Sequence, residues 1–459
     1  MLFLPEIPGR FPVGATTFVT PVRPARSVGS ASILNSLSNT PEPALYLEEV
    51  AFTAYYPADT RVNGTQKIQH GLNWVLRPMK ESLSGFAKFS TLPRWILWPV
   101  IYLFGTLIKI PVYPNAPLLR PAEFESDKTL ELPIPEQWPL VIFSHGLGGS
   151  RTAYSQFCSR LAASGKVVLA MEHRDGTGHA CTSRSWGSNG KSKPRSILYY
   201  KDSEIILDHM SKSDASPEFP LRTEQLEYRR QEIHVAYQIF SRFIDGDLSV
   251  ELETIEDSNI GRGSWSTLGP SGKRTVRHDE NVTLAGHSFG GCTVLSILST
   301  KPPPQYQSIP VGNALILDPW LEPLPSPGPV PLIHAHDDNR LPRLLVMNSE
   351  TFTLWKDHYS RLQDVVNMWE PQGQRIMTLV GSQHASFSDF PGLPVFRRRG
   401  AEILMDVISK LSIGFLDDQL EQALKTVKTR KMEIEIIGKK KDGRPKRKLV
   451  GSIGDIIVT

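Results

Sequence analysis

A serine set between glycines where an apolar strand should become an apolar helix constrains this chain more than any other feature. Leu284 to Gly291 reads LAGHSFGG. A serine hydroxyl is a weak nucleophile, so catalysis needs it on a sharp, strained turn that presents Oγ to a base; glycines on both sides let backbone pass close by. At ordinary glycine and serine frequencies a G-x-S-x-G string arises by chance roughly 0.2 times in a chain this long. The context adds to it: Asn281 to Ala285 (NVTLA) reads as a short buried strand, and Gly291 to Ser299 (GCTVLSILS) as an apolar helix. Together they predict a nucleophile elbow around Ser288.

A nucleophile of this kind needs donors for the oxyanion. Pro139 to Gly149 (PLVIFSHGLGG) is an apolar run ending in a glycine-rich loop, the pattern of a central parallel strand delivering its loop to the same sheet edge. The expected donors are the backbone amides of Leu147, in that loop, and of Phe289, the residue after the serine, with Gly146 and Gly148 freeing the chain to present them. The base should follow the serine in sequence. Of His334, His336, His358 and His384, the last comes just after an apolar strand at Ile376 to Val380, in RIMTLVGSQHASF, whereas His334 and His336 lie in the polar stretch HAHDDN. His384 is the expected base. For the acid, Asp318 follows the apolar run Ala314 to Leu317, and Glu350 and Asp357 follow the strand at Leu344 to Met347. Position favours Asp318, with Glu350 and Asp357 as its rivals.

The order FSHGLGGSRTAYS, VVLAMEHRDGTG, LAGHSFGG, ALILDPW, LLVMNSETF and GSQHASFSDF, with RFPVGATTF and AFTAYYPAD upstream, resembles the platelet-activating-factor acetylhydrolases, calcium-independent phospholipases A2 of the plasma and intracellular type II kind. The resemblance runs from about Gly9 to Ile413. It implies an α/β fold of the α/β-hydrolase type, with a mostly parallel central sheet flanked by helices. Carried over by motif, it puts the catalytic serine on Ser288, the aspartate on Asp318, the histidine on His384 and the oxyanion amides on Leu147 and Phe289, with no cofactor and no metal. The implied reaction is hydrolysis of the short sn-2 acyl ester of a phospholipid substrate. A carboxylesterase or lipase acting on another ester, and a catalytically silent lipid- or partner-binding fold, are the alternatives. Ser183 to Ser196 and Asp257 to Lys273, rich in Ser, Gly, Lys and Arg, depart from the family pattern.

With 459 residues and 40% hydrophobic content the chain has enough material for a large core. The expected organisation is an N-terminal extension over 1–40, a catalytic domain over 41–415, and a peripheral helix with a basic tail over 416–459. Cys158, Cys181 and Cys292 are too few for a disulfide framework and lack metal-ligand spacing. With MLFLPEIPGR at the start, which has neither the basic nor the long apolar region of a signal peptide, they point to a cytoplasmic protein. Net charge is +4, yet Lys439 to Lys448 (KKKDGRPKRK) alone carries +6, seven basic residues against one acid, leaving −2 elsewhere. That string reads as a solvated disordered end, a site for anionic lipid or a nuclear-import string; nothing else suggests nucleic acid.

Trp95 to Ile110 (WILWPVIYLFGTLIKI) is the most apolar stretch but falls short of the roughly 20 residues that span a bilayer. It reads either as a buried helix or as an interfacial one, with Trp95 and Trp98 making peripheral membrane contact. Leu226, Ile233, Tyr237, Phe240 and Ile244 mark the apolar stripe of a helix over Arg222 to Ile244. The charged string Glu172 to Asp175 reads as a buried salt-bridge network in preference to a second catalytic cluster. The oligomeric state is not legible from these residues.

Overall fold

The computed structural model describes residues 2–35, 38–61, 70–121, 135–184, 186, 194–207, 218–255, 262–326, 328–332, 341–369, 376–394 and 397–459. Its frame is a 13-stranded sheet whose main strands are β1 Val13–Ser27, β2 Tyr46–Pro57, β3 Trp138–Ser144, β4 Val167–Glu172, β5 Val282–His287, β6 Val311–Leu317, β7 Arg343–Ser349, β8 Ile376–Leu379 and β9 Ile456–Val458. They lie in the order β1-β2-β4-β3-β5-β6-β7-β8-β9. From β4 to β8 every neighbouring pair is parallel; β1, β2 and β9 pair antiparallel at the flanks. Parallel strands need crossovers, and these place helices on both faces.

Strand alternation shows how the core is divided. Leu140 and Ile142 of β3 face a cluster shared with α4 Pro220–Ile244 and α5 Phe289–Leu298. Val141 and Phe143 face the opposite cluster, shared with α3 Ser155–Ala163 and α7 Ala401–Leu416. Side chains of successive strand residues point to opposite faces, so a strand covered on both reads as an unbroken apolar run. Helix α4 carries the expected stripe, Leu226, Ile233, Tyr237, Phe240 and Ile244 all buried, and starts two residues earlier than its pattern suggested because Pro220 takes the first turn, where its missing N–H costs nothing.

Residues within 1–40 and within 416–459 both contribute strands to this sheet. Strand β1 lies within 1–40, pairs with β2 over most of its length and buries its first eight residues. At the other end β9 closes the sheet against β8. The basic string is an ordered hairpin of Ile434–Lys439 and Pro445–Leu449, largely exposed, so the reading as a structureless end is corrected. The reading of Trp95 to Ile110 as one helix, buried or interfacial, is also corrected: the stretch is exposed at its start, while Ile101, Ile108 and Ile110 are buried and Ile108–Ile110 is a strand. Helix α2, Arg94–Pro99, which follows α1 Met79–Ser90 and continues into a π-helical turn at Val100–Phe104, buries none of its residues. Among the described residues no helix is long and apolar enough to cross a membrane.

Candidate active site

Between β5 and α5 the backbone turns at Ser288, with φ 56° and ψ −119°. A non-glycine residue at positive φ is costly and persists only where its surroundings over-determine it. Here the Ser288 amide donates to Leu317 O at 2.9 Å, and its carbonyl accepts from Cys292 and Trp320. The glycines are steric necessities. A Cβ on Gly290 would lie 1.9 Å from Ser144 O of β3, and one on Gly286 would lie 2.3 Å from Gly290 O.

The ends of three strands bring three side chains together. Asp318 follows β6, also at positive φ, 46°, and is fully buried. It accepts from the Ser349 amide at 2.6 Å and the Ser349 hydroxyl at 2.7 Å. His384 opens a 3₁₀ turn after β8; its Nδ1 is 2.7 Å from Asp318 Oδ2 and its Nε2 2.8 Å from Ser288 Oγ. The carboxylate can only accept from Nδ1–H, which leaves Nε2 as acceptor for the serine proton. The ring stacks on Phe352, with centroids 4.3 Å apart, and its side chain is 37% exposed, so this end of the series is open to a reactant. A hydroxyl facing a base that a buried acid orients is the arrangement of nucleophilic catalysis.

The expected oxyanion donors stand beside it. Phe289 is the first residue of α5, where an amide has no partner inside its helix. In the loop after β3, Gly148 N donates to Thr177 O, Gly149 N to Gly146 O and Gly146 N to Tyr154 Oη. That leaves the Leu147 amide uncommitted among the described residues.

Three residues that the sequence did not single out hold these parts in place. Tyr154 Oη is 2.8 Å from His287 Nδ1, and His287 Nε2 is 3.0 Å from the carbonyl of His384. Burial and then the neighbouring His384 hold His287 well below the usual histidine range, so it is neutral, donating from Nε2 and accepting at Nδ1. The buried Arg229 donates to His145 O at 2.7 Å and lies over the Phe289 ring, 4.6 Å from its centroid. His287 sits inside the serine motif as its variable residue, the one local signal that pointed to it.

Other candidates are engaged elsewhere. Glu350 accepts from the amides of Gly381 and Leu449, a structural role. Asp357 lies in the first turn of α6 Lys356–Trp369. His358 accepts weakly from Leu321 N, 3.4 Å away, and burial pushes it down to about 4. His334 and His336 lie outside the described residues. The string Glu172 to Asp175 is a buried network: Arg151 and Arg174 on Glu172, Arg174 on Glu49, Arg229 on Asp175. In it His173 Nδ1 is 2.6 Å from Glu232 Oε2, and burial drives both groups towards their neutral forms. Donor atoms of His287, Asp318 and His384 lie within 4.8 Å of one another, a spacing that suits a cation. Each of these side chains, however, is already committed to the hydrogen bonds above.

The family described as platelet-activating factor acetylhydrolase, isoform II, matches residues 4–432. The chain belongs to this family. Among its relatives, the platelet-activating factor acetylhydrolase of Canis lupus familiaris is 28% identical over 76% of this chain and 68% of that protein. The one from Cavia porcellus is 30% identical over the same shares. A putative phospholipase A2 of Schizosaccharomyces pombe is 26% identical over 69% of this chain and 65% of that protein. Among solved structures, a ferulic acid esterase from Streptomyces cinnamoneus superposes with a TM-score of 0.50 at 15% identity, covering 92% of this chain and 94% of its own. That likeness bears on the fold alone, and the fold is that of the α/β hydrolases. The basic hairpin lies beyond the residues that match the acetylhydrolase family.

Proposed function

We propose that this chain is a serine esterase that releases the short sn-2 acyl group of phospholipids of the platelet-activating-factor type. One observation supports this above the rest: Ser288, His384 and Asp318 form an unbroken hydrogen-bonded series in a chain whose relatives are named acetylhydrolases of that lipid. His384 Nε2 takes the serine proton as Oγ attacks the ester carbonyl, and Asp318 keeps the ring oriented and stabilises the imidazolium. The amides of Leu147 and Phe289 hold the oxyanion; one such donor is worth about 3 kcal/mol of barrier. Collapse breaks the ester bond, His384 returns the proton to the glycerol oxygen, and lyso-phospholipid leaves. Water, deprotonated by the same ring, then attacks the acyl-enzyme; the bond to Ser288 Oγ breaks, His384 returns the proton to that oxygen, and the acyl group leaves as acetate or another short acid. No step calls on a metal ion or cofactor. The test is acetate release by the wild-type chain and by Ser288→Ala, which should reduce it at least about a thousandfold.

We propose further that the protein is cytoplasmic and makes peripheral contact with a membrane. Trp95 and Trp98 are 75% and 53% exposed beside exposed Ile96, Leu103 and Leu107, a surface suited to the headgroup region. The hairpin's Lys439, Lys440, Lys441, Arg444, Lys446, Arg447 and Lys448 suit the anionic lipid of the cytoplasmic leaflet, at about 1 kcal/mol for each basic residue near the surface. Replacing Trp95 and Trp98 with alanine should lower partitioning onto vesicles containing phosphatidylserine about tenfold or more. Unchanged partitioning of the folded variant would remove this part of the proposal.

A further inference from the structure

Beside the catalytic side chains lies a space the mechanism does not use. A cavity of about 370 Å³ opens between α1, α2 with its π-helical turn, and the loop after His384, and Trp74, Phe86, Phe89, Leu97, Ile101 and Phe390 contribute to its walls. It adjoins the site on two sides. Ala385, next to the base, lines it, and the ring of Phe89 packs so tightly on the oxyanion loop that a Cβ on Gly148 would lie 2.5 Å from it. Ser288, Leu147 and Phe289 are not among the lining residues. The cavity therefore stands beside the reacting ester and not at it, where a part of a bound phospholipid some bonds from the ester would lie. The volume falls in the range of small-ligand sites and the lining is almost wholly apolar, so it fits hydrocarbon and offers little to a headgroup. Phe89 and Leu92 at its edge are 41% and 45% exposed, and a hydrocarbon chain laid there would cover apolar surface otherwise in water.

We infer that this cavity holds the sn-1 alkyl chain of the substrate, the chain the reaction leaves in place, and so sets a preference for its length. This rests on the phospholipid reading above. The test compares the full chain with Leu97→Trp and Val100→Trp, two cavity-filling changes at half-buried positions. Substrates are 1-butyl- and 1-dodecyl-2-acetyl phosphocholine, both below micellar concentration and without vesicles, and 4-nitrophenyl acetate. Wild type should favour the dodecyl over the butyl lipid by about tenfold or more in kcat/KM. Each variant should lose that preference while keeping its rate on the butyl lipid and on 4-nitrophenyl acetate. An unchanged dodecyl-to-butyl ratio in both variants would overturn the inference, as would a loss shared by all three substrates. So would variants that discriminate instead against a lengthened sn-2 acyl chain on a 1-butyl lipid. Wild type that turns over 4-nitrophenyl acetate and neither lipid would sink the phospholipid reading itself, a failure distinct from these.

Discussion

Tyr154 places one hydroxyl between two segments whose relative position fixes the site. It accepts from Gly146 N, in the oxyanion loop, and donates to His287 Nδ1, while His287 holds the carbonyl of His384. Oxyanion loop, elbow and base thus share one chain of hydrogen bonds made entirely outside the reacting atoms. Tyr154→Phe keeps the ring's packing but leaves the buried His287 Nδ1 without a donor, a loss of about 1–3 kcal/mol. If that network positions the base, kcat on 4-nitrophenyl acetate should fall about tenfold with KM nearly unchanged. A variant that is merely less stable, with wild-type kcat, would make Tyr154 a packing residue only. Neither partner was legible in the sequence as functional, because a tyrosine just ahead of a helix and a histidine beside the nucleophile acquire this role only by meeting. Ser288 and its glycines were legible, since the steric demands of the elbow fix residue types at fixed spacing.

The loop carrying His384 is tied to the body of the protein by one buried carboxylate. Asp389 accepts from Trp74 Nε1, the Ser155 amide and hydroxyl, and the Gln156 amide, joining that loop to the first turn of α3. Burial outweighs these donors and raises its pKa from 3.8 to about 6. The folded chain therefore keeps a proton that the unfolded chain releases across that interval. Stability contributed by Asp389 is greatest below the lower value, falls as pH rises, and is level above about 6, a total change of about 3 kcal/mol. Urea unfolding of wild type against Asp389→Asn should show the difference between them changing by that amount across the window; a constant difference would contradict it. Among the strands, β3 and β5 to β8 were readable because burial on both faces turns them into apolar runs. Strand β1 was not: VGATTFVTPVRPARS mixes threonines, arginines and prolines, and its identity depends on pairing with β2, which local pattern does not encode. The hairpin at 434–449 hid behind its charge for the same reason.

At the scale of the whole molecule the fold acts as a jig. Strands β5, β6 and β8 run parallel, so their C-terminal ends deliver Ser288, Asp318 and His384 to one sheet edge, where α/β proteins carry their sites. Residues 96 positions apart in sequence come within hydrogen-bonding distance without any local motif joining them. This is why position favoured Asp318 without excluding Glu350 and Asp357: all three follow strands, and only the sheet order decides which carboxylate faces the histidine. The apolar surface of α2 and the basic hairpin were likewise visible as composition, but their exposure is a property of the assembled chain. The central claim joins this geometry to a substrate, and acetate release from 1-alkyl-2-acetyl phosphocholine in excess chelator tests it most directly, run beside Ser288→Ala and a long-chain sn-2 control. The account requires release that depends on Ser288, withstands the chelator and is far slower on the long-chain lipid. Activity on neither phospholipid, from protein that still hydrolyses simple aryl acetates through Ser288, would contradict it and leave an esterase of another substrate.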